Sequence, residues 1–221
     1  MNLFISRKLS QDSLFHSFVN EGIEIYDESL IDFTAIPFTK PKTDWIFFYS
    51  KKGIDYYFEN LDFDPSQSYA VLGSATASYF NIKTNHSADF IGNNNAEQIA
   101  EKLKKTIDGD SITFIKAINS IESVENHLQE SYKSQALAIY NNCIKNVEAI
   151  KSMRIPSCDI VVLTSPMNAR AWFDYKSYAN EKVIAIGKTT AFEIKSIINK
   201  DVPYCKHPSE SALFQLVKDN L

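Results

Sequence analysis

The sequence predicts an α/β fold of two flavodoxin-like lobes, each built on a parallel sheet. Three observations predict it. Short apolar runs of strand length recur along the chain, as in Ile160–Leu163 and Val183–Ile186. Such unbroken runs suit parallel strands buried on both faces. Segments with helical spacing follow them, and alternating strands and helices imply parallel sheets. The pattern also repeats. Trp45–Ser50 and Tyr69–Ala77 return as Asp159–Ser165 and Val183–Ala191, roughly 115 residues later, a domain-sized period.

The elements follow in order. Leu3-Phe4-Ile5 reads as a first strand, with a helical pattern from Ser13 to Asn20. Trp45–Tyr49 is a strand ending at Ser50, and Tyr69–Leu72 is a strand ending at Gly73. Ile99, Leu103 and Ile107 stand at i, i+4 and i+8, one face of a helix. Ile112–Ile115 then repeats the first strand, with a helical pattern from Ser120 to Glu130. Ile160–Leu163 and Val183–Ile186 close the second half. Ala191, Ile194, Ile197 and Ile198 form the apolar set of the helix after them.

The 221 residues are 44% hydrophobic and 23% charged, an ordinary globular composition. The net charge of −4 excludes an overall basic footprint, so no nucleic-acid partner is expected. A local basic pocket for an acidic small molecule is compatible with it. No apolar run reaches the roughly 18 residues of a membrane span, so no membrane partner is expected. Met1–Ile5 has no basic stretch before it, as a secretory leader would. Cys143, Cys158 and Cys205 form no C-x-x-C pair and are odd in number, which argues against a disulfide framework or a zinc site. The expected location is the cytoplasm. The four histidines, His16, His86, His127 and His207, lack metal-ligand spacing.

Ligands of open parallel sheets bind beyond the carboxyl ends of the strands. That rule selects Ser6, Ser50, Gly73-Ser74, Lys116, Thr164-Ser165 and Gly187-Lys188-Thr189-Thr190, and it favours a ligand held in a cleft between the lobes. Gly187-Lys188-Thr189 is no P-loop, because Lys182 stands where the first glycine belongs. Gly73-Ser74-Ala75-Thr76 lacks the second glycine of a hydrolase elbow, and no Gly-x-Gly-x-x-Gly occurs. Ser50 and Ser165 are expected helix N-caps as well as candidate ligands. Thr189 or Thr190 is expected to cap a helix starting near Ala191. Exposed hydroxyls and amides at a helix N-terminus bind carboxylates. Arg7, Lys51 and Lys52 add cations that suit an acidic ligand.

These segments resemble the uroporphyrinogen-III synthase family over nearly the whole chain. The resemblance is carried by Ile5-Ser6-Arg7, Trp45–Gly53, Val71–Ala77, Ile139-Tyr140, Leu163–Pro166 and Ile184–Ala191. It implies two α/β lobes joined by a two-stranded linker, the chain leaving lobe one, building lobe two and returning. Lobe one would be 1–34 with 144–221, lobe two 38–138, and the crossings 34–37 and 139–142. It implies conversion of hydroxymethylbilane, a linear tetrapyrrole with eight carboxylates, to uroporphyrinogen III, with ring D inverted and water lost. It implies no cofactor, no metal, and a monomer. Tyr140 matches the family tyrosine near the linker and is the candidate acid or hydrogen-bond donor for hydroxyl departure. Ser6, Arg7, Ser50, Ser74, Thr76, Ser165, Lys188, Thr189 and Thr190 are the candidate substrate contacts. Lys116-Ala117, Lys51-Lys52 and Lys188 depart from the family pattern. The competing expectation is a non-catalytic two-lobed intracellular binding protein for an acidic small molecule.

Overall fold

Strands and helices alternate along most of the chain, as the apolar runs predict. A computed structural model describes residues 1–93, 95–107, 110–120, 124–128, 133–176 and 180–221. The chain opens with β1 (Asn2–Ile5), β2 (Glu24–Asp27) and β3 (Ile31–Ala35). It continues through β4 (Trp45–Phe48), α1 (Lys51–Phe58), β5 (Ser68–Leu72), α2 (Ser74–Thr84), β6 (Phe90–Gly92) and α3 (Ala96–Ile107). Next come β7 (Ile112–Ala117), β8 (Ser134–Ile144), α4 (Val147–Ser152) and β9 (Ile160–Leu163). The last elements are α5 (Pro166–Tyr175), β10 (Lys182–Ala185), α6 (Lys188–Ile198) and α7 (Glu210–Lys218). Short 3-10 helices occupy Leu14–Glu21 and Glu125–His127.

The chain divides into two units, Met1–Asp32 with Cys143–Leu221, and Phe33–Asn142. The first holds a sheet of order β10-β9-β1-β2, parallel throughout. The second holds the order β3-β8-β7-β4-β5-β6, parallel from β8 to β6. Within that sheet the run β5-β4-β7-β8 has the same plan as β10-β9-β1-β2. The duplication is therefore exchanged between halves. β1 pairs with β9 from the second half, and β7 pairs with β4 from the first.

The apolar runs are continuous because each sheet is covered twice. In the first unit Phe4, Val161, Leu163, Val183 and Ala185 face a layer with Trp172, whose ring stacks on Phe4 at 4.7 Å. Leu3, Ile5, Ile160, Val162 and Ile184 face the opposite layer, with Phe15, Phe18, Leu213 and Val217. The second unit packs Trp45, Phe47, Ile112 and Phe114 against Ile99, Leu103 and Ile107 of α3. It packs Ile46, Phe48, Val71 and Ile115 against Ile54, Tyr57 and Phe80 of α1 and α2. Each such side chain contributes about 1.5–3 kcal/mol when fully buried.

Three local expectations are corrected, and a fourth falls partly outside the described residues. The segment after Ser13 is a 3-10 helix, and its core residues Phe15 and Phe18 lie three apart, the period of that helix. The helical pattern from Ser120 to Glu130 is represented by the single turn Glu125–His127; residues 121–123 and 129–130 lie outside the described residues. Ile197 of α6 is 39% exposed, while Ala191 and Ile194 carry the burial. Finally, α6 starts at Lys188, so Thr189 and Thr190 are in its first turn. Its N-cap is Gly187, which makes no side-chain cap bond.

Gly187 is required by close approach. A Cβ there would lie 2.9 Å from Pro208 Cγ, and a proline ring gives way poorly. Gly187→Ala is expected to destabilise the first unit by about 1–3 kcal/mol, the cost of overpacking. Urea unfolding followed through the Trp172 fluorescence in a Trp45→Phe background checks it, and an unchanged midpoint would mean that the segment carrying Pro208 moves aside freely. Among the described residues no helix is long and apolar enough to cross a membrane.

Candidate active site

The candidate substrate contacts follow the carboxyl ends of strands, three in the second unit and six in the first, whereas Tyr140 lies within β8. In the second unit β4 ends just before Ser50, which caps α1. Its Oγ accepts the Gly53 N–H at 3.1 Å. The same Oγ lies 2.9 Å from Tyr140 Oη. Tyr140 reaches it because β8 is irregular. The register opposite β7 passes from Lys116↔Ala138 to Ala117↔Tyr140, so Ile139 is skipped on the β7 side. Adjacent strand residues normally face opposite ways. Here Ile139 and Tyr140 both enter the layer with Ile115 and Ala117, the re-aiming a bulge produces.

The Tyr140 ring is fixed on both sides. Tyr56 stacks on it at 5.3 Å and 13°, and Phe33 lies 6.2 Å away. Only 6% of Tyr140 is exposed. Burial pushes its phenol above the usual tyrosine range, and the Ser50 hydrogen bond opposes that shift. Lys52 stands over the Phe33 ring at 5.4 Å and 3.6 Å from Asp55. Lys51 stands over Tyr79 at 5.5 Å.

Helix starts in this fold fall into two kinds. Ser50 and Ser165 cap α1 and α5 in nearly identical geometry, with φ/ψ of −154°/159° and −161°/160°. Each accepts the N–H three residues on, so each consumes one orphan amide of its own helix. By contrast α2 and α6 begin after Gly73 and Gly187, with no side-chain cap. Gly73 adopts φ +81°, which glycine alone holds without strain. The first-turn amides of α2 and α6 therefore remain available to an anion. Ser74 is exposed in the first turn of α2, and Lys188 and Thr189 are exposed in the first turn of α6. Lys188 Nζ lies over the Phe192 ring at 5.3 Å. Thr76 and Thr190 are buried, 8% and 3% exposed, and their side chains turn toward the packing beneath those turns.

Three candidates in the first unit hold structure. Ser6 is fully buried. Its Oγ accepts the Thr164 N–H at 2.8 Å, and Thr164 Oγ1 donates to the Ser6 carbonyl at 3.0 Å. Ser6 thus fastens the end of β1 to the end of β9. Arg7 is half-buried and ion-paired with Glu210 at 2.9 Å. Glu210 also accepts from Ser13 Oγ and the Leu14 N–H. Ser165 Oγ receives both the backbone N–H and the side-chain amide of Asn168. The Asn168 carbonyl oxygen in turn accepts the Leu30 N–H.

Lys116 is also internal. It is 7% exposed and lies 3.7 Å from Glu125, which accepts from the Tyr49 hydroxyl. Sequence reasoning missed Glu210, Asn168, Glu125 and Tyr56. Each of the first three meets a partner distant in sequence: Arg7 for Glu210, Leu30 for Asn168 and Tyr49 for Glu125. Tyr56 sits six residues after Ser50, an offset that puts two helical residues on different faces, so the sequence carried no signal for it.

A cavity of about 700 Å³ opens elsewhere, at the starts of β4, β7 and β8, between Lys40, Lys42, Ser111 and Lys133. Lys40 is paired with Asp64 there, at the amino ends of the strands, away from the residues above. Among the described residues no group of three or more His, Cys, Asp or Glu could hold a metal ion.

A family model described as "Uroporphyrinogen-III synthase HemD" matches residues 18–215. No curated protein matches the sequence significantly. The uroporphyrinogen-III synthetase of Helicobacter pylori 26695 superposes with a TM-score of 0.76 at 17% identity, covering 100% of both chains. A mutant uroporphyrinogen III synthase of the extremely thermophilic bacterium Thermus thermophilus superposes with a TM-score of 0.58 at 14% identity, covering 99% of each. The structural likenesses fix the fold, the family match covers most of the sequence, and together with the exchanged duplication they show that this chain belongs to the uroporphyrinogen-III synthase family.

Proposed function

We propose that this chain closes hydroxymethylbilane to uroporphyrinogen III, with ring D inverted and one water lost, and that Tyr140 supplies the proton for hydroxyl departure. The family match over 18–215 carries the reaction. It favours the enzyme over the binding protein. The placement of Tyr140 opposite the last residue of β7, stacked on Tyr56 and bonded to Ser50, supports its role. A tyrosine with a raised pKa stays protonated at neutral pH and so keeps a proton to give. As the proton moves to the leaving hydroxyl, the C–O bond breaks with its electron pair and water departs. The azafulvene cation left on the ring that carried the hydroxymethyl group is attacked by ring D within a shaped site, where positioning dominates the rate.

The substrate carboxylates are assigned to the uncapped first turns of α2 and α6, with Ser74, Lys188 and Thr189 beside them. Thr76 and Thr190 support those turns from beneath, Ser165 and Ser6 hold the strand ends, and Arg7 offers the part of its guanidinium that Glu210 leaves free. The reading includes a cytoplasmic monomer that needs no cofactor and binds neither nucleic acid nor membrane. Product identity tests it, because spontaneous closure yields the type I isomer.

A further inference from the structure

We propose that Ser50 is a positioning residue: it donates its hydroxyl proton to Tyr140 and thereby turns the Tyr140 proton outward, toward the leaving group. The inference rests on the reading of Tyr140 as the proton donor. A serine hydroxyl has one proton and two acceptor lone pairs. The Gly53 N–H occupies one lone pair of Ser50 at 3.1 Å. The Ser50 proton is then free for Tyr140 Oη at 2.9 Å. Donation from the α1 amide polarises the Ser50 O–H, and linked hydrogen bonds strengthen one another. The Tyr56 stack and the bulge in β8 hold the phenol where Ser50 can reach it.

The sister serine shows that this use is particular to Ser50. Ser165 caps α5 in the same geometry, but its second partner is the side-chain amide of Asn168. There the serine receives two protons and locks a loop. At Ser50 the second partner is a phenol, the one group of the two that can give up a proton. In the reaction, the Tyr140 O–H bond breaks and its proton joins the substrate hydroxyl. Water leaves with the C–O electron pair, and phenolate and azafulvene cation remain. The Ser50 O–H supports that phenolate. The pyrrole carbon that bonds during closure releases one proton, which restores the phenol, so the sum is substrate to product plus water.

The test is a titration of Tyr140 in protein carrying tyrosine labelled with carbon-13 at the ring carbon bearing oxygen. Tyr140→Phe assigns the resonance. Tyr56 is the titratable group stacked on Tyr140, and Tyr56→Phe removes its contribution. Ser50→Thr keeps cap and donor. Ser50→Gly removes the donor yet costs α1 only a few tenths of a kcal/mol as a cap; Ser50→Ala removes both. The expected result is a Tyr140 midpoint raised by about one unit in Ser50→Gly and Ser50→Ala and unchanged in Ser50→Thr. The same Gly and Ala variants should lose about tenfold in kcat with KM little changed, and Thr should restore it. A Tyr140 midpoint unmoved in Ser50→Gly would overturn the proposal and leave Ser50 a helix cap. A moved midpoint with unchanged kcat would overturn its part in the reaction. The titration does not depend on turnover. A normal kcat in Tyr140→Phe would instead remove the reading beneath it.

Discussion

Replacing Lys116 with methionine is expected to destabilise the second unit by about 3–5 kcal/mol, the cost of stranding a buried carboxylate without its cation. Lys116 and Glu125 are each only 8% exposed at the side chain and lie 3.7 Å apart. Glu125 also accepts from Tyr49, whose Oη accepts the Val124 N–H. The pair therefore fastens the turn at Glu125–His127 onto the end of β7. Replacing both partners, as Lys116→Met with Glu125→Leu, should recover most of the loss, because two apolar groups leave no charge to satisfy. The chain has two tryptophans, Trp45 and Trp172, one in each unit. A Trp172→Phe background makes urea unfolding report on the second unit through Trp45. A loss below about 1 kcal/mol for the single variant would show that water solvates Glu125 when Lys116 is gone.

Tyr140→Phe is expected to lower kcat by about 10²-fold, the low end of general-acid contributions, with KM changed less than about threefold. The lost atom is the proton donor. The Phe ring keeps the stack on Tyr56 and the contact with Phe33, so substrate fit should persist. The product that the variant forms above the spontaneous type I background should still be type III, because inversion follows from positioning of the cation and not from the proton donor. Steady-state kinetics with chromatographic product analysis checks both statements. An equal loss of kcat and isomer identity would show that Tyr140 shapes the site instead of supplying a proton.

The fold was legible because it depends on local patterns that parallel sheets impose. Ile160–Leu163 is apolar at every position because each face of β9 meets its own core layer. Ser50 and Ser165 were legible as caps because capping is a contact over three residues. The errors come from longer reach or finer geometry. Thr189 and Thr190 fail as caps because Gly187 lets the helix start at Lys188, under Pro208. Ser6 carries a hydroxyl at a strand end, as a binding residue would, but its partner Thr164 comes from the other end of the sequence. Arg7 meets Glu210 in the same way. The bulge that aims Tyr140 depends on the register between β7 and β8, which no composition reports. Lys116 reads as a ligand-facing cation at a strand end until Glu125 is placed beside it.

The central claim is ring inversion, and product identity tests it most directly. Hydroxymethylbilane is generated in situ from porphobilinogen with its synthase, this protein is added, and the oxidised uroporphyrins are separated by chromatography. The account predicts a dominant type III isomer, rising with protein concentration and reduced in Tyr140→Phe. Type I alone, from folded protein at saturating concentration, would contradict it.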